Sequence, residues 1–131
     1  MRFEVEGKAP VDATRESAIR RGIKSLRSYG PSSFASVTDV EGNYVQVGGD
    51  GVTCLVERYL AASKERQRAY HDYPSPVRPD GALLVFGAGQ IALKADEWFV
   101  ASEVEEIFLA FLKGSELPSY VKWRQAPGLD V

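Results

Sequence analysis

Apolar and polar positions first alternate at residues 2–6, Arg-Phe-Glu-Val-Glu, which predicts a short strand with Phe3 and Val5 on one face. After Pro10 the period changes. Ile19, Ile23 and Leu26 recur at helical spacing, predicting a helix over about 12–28 with Asp12 as N-cap and a stop near Gly30-Pro31. Gly22 inside that helix costs roughly 1 kcal/mol of propensity relative to alanine, a deficit that packing can override.

Residues 34–73 read as a β-meander. Phe34 to Thr38, Tyr44 to Val47 and Val52 to Leu60 are rich in β-branched and aromatic residues, and Glu41-Gly42-Asn43 and Gly48-Gly49-Asp50-Gly51 supply the turns between them. For 61–71 the pattern leaves two readings open, a fourth strand over about 65–71 or a helical turn beginning at Ala61. Three prolines between Tyr73 and Pro79 demand a loop, because each removes a backbone donor and biases its predecessor to extended geometry. Leu83 to Phe86 and Ile91 to Lys94 are expected to pair across Gly87-Ala88-Gly89. The second helix is marked by Ser102 and Glu105 as a capping box, by Val104, Ile107, Phe108 and Phe111 on one face, and by Gly114 as the stop. A last strand is expected at Tyr120 to Arg124. The element order predicts a single α+β domain over 1–131, with a mainly antiparallel or mixed sheet and two helices on one face.

Composition supports this picture without redirecting it. The 131 residues, 44% hydrophobic and 26% charged, suffice for a core without disulfides or metals. No apolar run is long enough to span a bilayer, and the charged N-terminus lacks a signal-peptide pattern, so a cytoplasmic protein without membrane contact is expected. Cys54 is the only cysteine, which removes an intramolecular disulfide and a cysteine-built zinc site. The net charge of −2 gives no general attraction to nucleic acid, and none is expected as a partner. Its distribution is uneven: of 16 basic and 18 acidic residues, 12 and 11 fall in 1–80, leaving 4 and 7 in 81–131. An acidic C-terminal part suits a basic partner.

Candidate chemistry is sparse. Gly87-Ala88-Gly89-Gln90-Ile91-Ala92 fits the dinucleotide fingerprint, but the mechanism needs a helix opening at that loop inside a βαβ unit, and the next marked helix begins near 102. A hairpin turn explains the glycines more simply. Gly48 to Gly51 has no helix behind it to build an anion nest and reads as a turn. His71 is the only histidine, so a two-imidazole mechanism is excluded; its neighbours place it on an exposed or rim surface. Arg20, Lys24 and Arg27, with Arg15 and Arg21 nearby, form a basic helix face whose simplest role is solvation. No catalytic residue, cofactor or metal is expected.

The segment GQIALKADEWFVASEVEEIFLAFLKGSELPSYVKW resembles the ending of one of the large immunity-protein families of bacterial polymorphic toxin systems. The resemblance covers roughly residues 87–124. It lies in a glycine-led strand and polar turn, a capped helix, a Gly-x-x-x-Pro loop from Gly114 to Pro118, and a closing strand with Trp123. It implies a small cytosolic α+β protein that binds and blocks a cognate toxin domain, often a nuclease or deaminase, and it carries no catalytic residues. Trp98 and Trp123 are expected to pack in the core or at its edge.

Tyr70, His71, Asp72 and Tyr73 are the primary partner-binding candidates, since aromatic anchors beside an acid and a proline-stiffened loop suit a basic groove. Asp39 and Glu41 at the first hairpin turn, and Asp96 and Glu97 before the second helix, are secondary candidates. Two alternatives stand beside this reading: a small enzyme or ligand-binding domain using Gly87 to Gly89 and His71, and a nucleic-acid-binding accessory protein using the basic helix face.

Overall fold

A computed structural model describes residues 1–12, 15–27, 32–50, 53–86 and 89–127. Among these, strands β1 (Arg2–Val5) and β2 (Val11–Asp12) precede helix α1 (Glu16–Lys24). Strands β3 (Phe34–Thr38), β4 (Tyr44–Gly49), β5 (Cys54–Leu60) and β6 (Glu65–Tyr70) form the meander. Then come β7 (Ala82–Phe86), β8 (Gly89–Leu93), α2 (Ala101–Lys113) and β9 (Lys122–Gln125). Seven strands make one antiparallel sheet in the order β2-β1-β3-β4-β5-β6-β9, and β7 and β8 make a separate hairpin. The fold is α+β, mainly antiparallel sheet with two helices. No helix among the described residues is long and apolar enough to cross a membrane.

Strand alternation assigns the two faces of the sheet. Phe3, Val5, Ala35, Val37, Val45, Val47, Cys54, Val56 and Ala69 point to the helices and meet Ile19, Ile23 and Leu26 from the first-helix segment and Val104, Ile107 and Phe108 from α2. The intervening residues point the other way. There Leu55 packs with Leu84 and Leu93 of the hairpin, backed by Phe86, Ile91 and Trp98. In β5, Cys54, Leu55, Val56 and Glu57 are therefore all buried, because helices cover one face and the hairpin the other.

The open segment 61–71 resolves as strand: β6 pairs with β5 across a four-residue turn in which Lys64 has a left-handed φ of 57°. Local chemistry departs from the sequence expectation at both helix starts. Asp12 does not cap a helix; it pairs with Arg2 in β2, and α1 starts at Glu16 behind Arg15. In α2 the N-cap is Val100, whose N–H is accepted by Glu103 at 3.1 Å, so the reciprocal partner is Glu103 and not Glu105. Glu105 points inward instead, 2% exposed, and accepts a hydrogen bond from Arg20 at 3.1 Å. Gly114 ends α2 in the left-handed conformation, φ 66°, as expected. Gly48 and Gly49 belong to β4 and not to a turn, while Gly51 and the Gly87-Ala88 step lie outside the described residues.

Gly22 has a packing reason. A Cβ there would lie 2.6 Å from the Phe3 ring, so the bare backbone is what lets α1 settle on β1. Gly22→Ala is therefore expected to destabilise by about 1–3 kcal/mol through overpacking, although alanine is the better helix former. Denaturant unfolding checks this, and a stabilised variant would contradict it.

Candidate functional site

The end of β6 delivers adjacent residues to opposite faces. Tyr70 turns to the hairpin side, where the Arg124 guanidinium lies 3.9 Å from its ring centre. His71 turns beneath the start of α2 and is 6% exposed, so the expected surface position is corrected: this imidazole is part of the packing. Its Nε2 is 3.0 Å from the Trp98 carbonyl, an acceptor, which assigns the proton to Nε2 in the neutral ring. Nδ1 is buried without a hydrogen bond, and the Glu103 carboxylate lies 3.6 Å from Nε2. The ring stacks on Phe99 at 4.1 Å between centroids and on Tyr73 at 5.1 Å, with Tyr120 at 6.4 Å.

Around this buried ring lies an aromatic and acidic rim. Tyr73 is 60% exposed. The Tyr120 hydroxyl donates to Glu106 at 2.7 Å, and partial burial, that hydrogen bond and the nearby Glu106 and Glu103 charges all raise its pKa, holding it as a phenol. Asp72 pairs with Lys122 at 2.6 Å, and that contact raises the lysine's pKa. Glu106 meets no cation among the described residues, while Glu103 accepts the Val100 N–H and lies 3.6 Å from His71 Nε2. The rim thus keeps the Glu106 carboxylate without a cation among the described residues, beside two phenols.

Tyr120, Glu103 and Glu106 were not among the sequence candidates. They reach Tyr73 because β9 pairs with β6, placing Lys122 opposite Tyr70, and because α2 begins over His71. The 70–73 and 95–97 segments do meet: the His71 N–H donates to the Asp96 carbonyl at 2.8 Å and Ser75 N–H to the Ala95 carbonyl at 2.7 Å. Asp39 and Glu41 do not join them. Their turn lies against the β5–β6 turn, where Ala61 N–H donates to Asn43 Oδ1, at the other end of β6 from Tyr70. Asp39 is occupied in holding that turn, accepting from Glu41 N–H, Asn43 N–H and the Asn43 amide.

Glu97 is not a surface acid. At 3% exposed it accepts the Lys94 N–H at 2.8 Å and lies 3.6 Å from both Arg68 and Arg124. Arg124 in turn reaches Asp96 at 2.7 Å. Arg68, 5% exposed, places Nε and Nη2 on Glu57 Oε2 at 3.1 and 2.9 Å, joining β5, β6, β9 and the segment before α2 in one ion-pair ladder.

The remaining candidates are occupied structurally. Burial pushes the Cys54 thiol up to about 12, with nearby Asp50 adding to the effect, so it is a poor nucleophile at neutral pH. Gly89 opens a strand, where the dinucleotide mechanism requires a helix. Arg20 is held by Glu16 and Glu105, and Arg27 donates to the carbonyls of Lys24 and Leu26, which reduces the basic face of α1. Trp98 and Trp123 are half-buried against the two clusters, with Arg78 and Arg58 each 4.5 Å from the ring centre. No protein-family model matches the chain, and neither a curated protein nor a solved structure matches it.

Proposed function

We propose that this chain is an immunity or inhibitor protein that neutralises a cognate bacterial toxin domain in the cytoplasm by stoichiometric binding, with no reaction of its own. The observation that carries the reading is the rim: exposed Tyr73 and the neighbouring Tyr120 beside Glu103, Glu106 and Asp72. Tyrosines give large contact area at low ordering cost, and acidic side chains such as Glu106, which meets no cation among the described residues, steer and orient a basic surface. A nuclease or deaminase domain offers such a surface, because a groove that holds a polyanion is lined with cations. The resemblance over residues 87–124 points to the same class of partner.

With a nuclease or deaminase toxin domain from any toxin gene found to neighbour this one as ligand, calorimetry is expected to show that Tyr73→Ala and Glu106→Lys each weaken the complex by more than about 1–2 kcal/mol. Asp72→Lys should weaken it similarly and slow association at low salt, with the effect shrinking as salt rises. Undiminished affinity in all three variants, each still folded, would move the interface away from the rim.

A further inference from the structure

On the helix-free face, the described residues of the hairpin leave part of the sheet uncovered, and among the described residues the gap is a cleft of about 510 Å³ between β4, β5 and β6 on one side and β7–β8 on the other. We propose that this cleft is a binding site for a small organic monoanion with a flat apolar body, an aromatic carboxylate being the simplest case. The site is separate from the rim and does not depend on the partner proposed there.

Its walls set the shape of the ligand. Phe34, Leu55, Phe86 and Ile91 line it, with Phe34 still 41% exposed, so aromatic surface faces open space. Gly48 keeps the floor flat: a Cβ there would lie 2.9 Å from the Phe86 ring. The volume falls within the roughly 300–1,000 Å³ of small-molecule sites, which combine apolar walls with a few convergent polar groups.

Its charge sets the sign. The lining holds two cations, Arg66 and Arg68, and one acid, Glu57. Glu57 accepts two hydrogen bonds from Arg68, which also lies 3.6 Å from Glu97, and a third from Gln46. Arg66 is left with a 3.5 Å approach of Nε to Glu57 and one hydrogen bond from Nη2 to the Pro127 carbonyl, and its buried Nε has no hydrogen bond. Its side chain lines the cleft and is 26% exposed, and among the described residues the guanidinium, anchored at the Pro127 carbonyl, keeps donor capacity left over. A carboxylate matches that remaining capacity in charge and geometry. One incompletely matched cation between apolar walls suits a single negative charge and leaves a polyanion's further charges without partners.

The test is calorimetric titration of the full chain at neutral pH with 2-naphthoate and, separately, with uncharged 2-naphthylmethanol. The expected result is one-to-one binding of naphthoate, at least tenfold tighter than the alcohol. Arg66→Gln should remove at least that tenfold preference. Gln90→Glu, which adds an acid to the hairpin wall without touching the ion-pair ladder, should weaken naphthoate several-fold and leave the alcohol unchanged, and it stands as the second probe should Arg66→Gln not fold. Leu83→Glu with Val85→Glu, on the hairpin's exposed outer face, should leave naphthoate affinity unchanged. Absence of binding at millimolar naphthoate, equal affinity for acid and alcohol, insensitivity to both cleft variants, or loss of binding in the outer-face variant would each overturn the proposal.

Discussion

Phe108→Ala is expected to lower the unfolding free energy by about 3–5 kcal/mol, the range for removing a fully buried aromatic side chain. Phe108 is 0% exposed and sits mid-way along α2, which lies over β3, β4 and β5 and against α1. Two causes add: the apolar surface loses its burial, and the neighbours in a close-packed core cannot collapse far enough to fill the space left. Domains of this kind are stable by only about 5–15 kcal/mol, so the variant should remain folded at low temperature with a sharply reduced denaturant midpoint. A loss under about 1 kcal/mol in urea unfolding would contradict the placement of α2 as the lid of the main core.

Arg68→Met is expected to be as severe, about 3–5 kcal/mol, for an electrostatic reason. The substitution keeps much of the volume but removes the cation that Glu57 and Glu97, 6% and 3% exposed, share, leaving them the longer contacts to Arg66 at 3.5 Å and to Arg124 at 3.6 Å. Breaking one side of a buried pair costs more than the pair contributes, because the stranded charge has already lost its water. Combining Arg68→Met with Glu57→Gln should therefore be less destabilising than Arg68→Met alone, since one stranded charge is removed. If the double variant were the less stable by the full sum of the single losses, the ladder would not be acting as a coupled unit.

The β-meander is readable because its apolar residues alternate and because its first turn carries Gly42, with a φ of 92°, whereas Gly48 and Gly49, which read as a turn, extend β4. Strand β6 was harder for a specific reason. Its Arg66, Arg68 and Tyr70 face is charged, and only the tertiary pairing of Arg68 with Glu57 and Glu97 makes burial of Arg68 tolerable. Hydropathy alone cannot show such an arrangement. The α2 face and its glycine stop were also legible, whereas its first turn was not: Ser102 and Glu105 have capping spacing, but Glu105 is drawn inward by Arg20, 85 residues away in sequence.

The candidate site was legible only in part. Tyr73 and Asp72 are exposed where an aromatic and acidic loop was expected, yet His71 and Glu97 are buried because long-range partners, the Trp98 carbonyl and the Arg68 and Arg124 guanidiniums, hold them. Tyr120 and Glu106 carried no local signal. Their place beside Tyr73 follows from which strand β9 chooses to pair with, and strand order is a property of the whole sheet.

The proposed partner neutralisation is tested most directly by titrating a purified nuclease or deaminase toxin domain, taken from any toxin gene found to neighbour this one, with increasing amounts of the chain while its enzymatic activity is followed. A linear fall to zero activity with a break at one equivalent is expected, and a shifted or abolished break with the folded Tyr73→Ala, Glu106→Lys double variant. Full toxin activity at several equivalents of the wild-type chain, or inhibition indifferent to the rim substitutions, would contradict it.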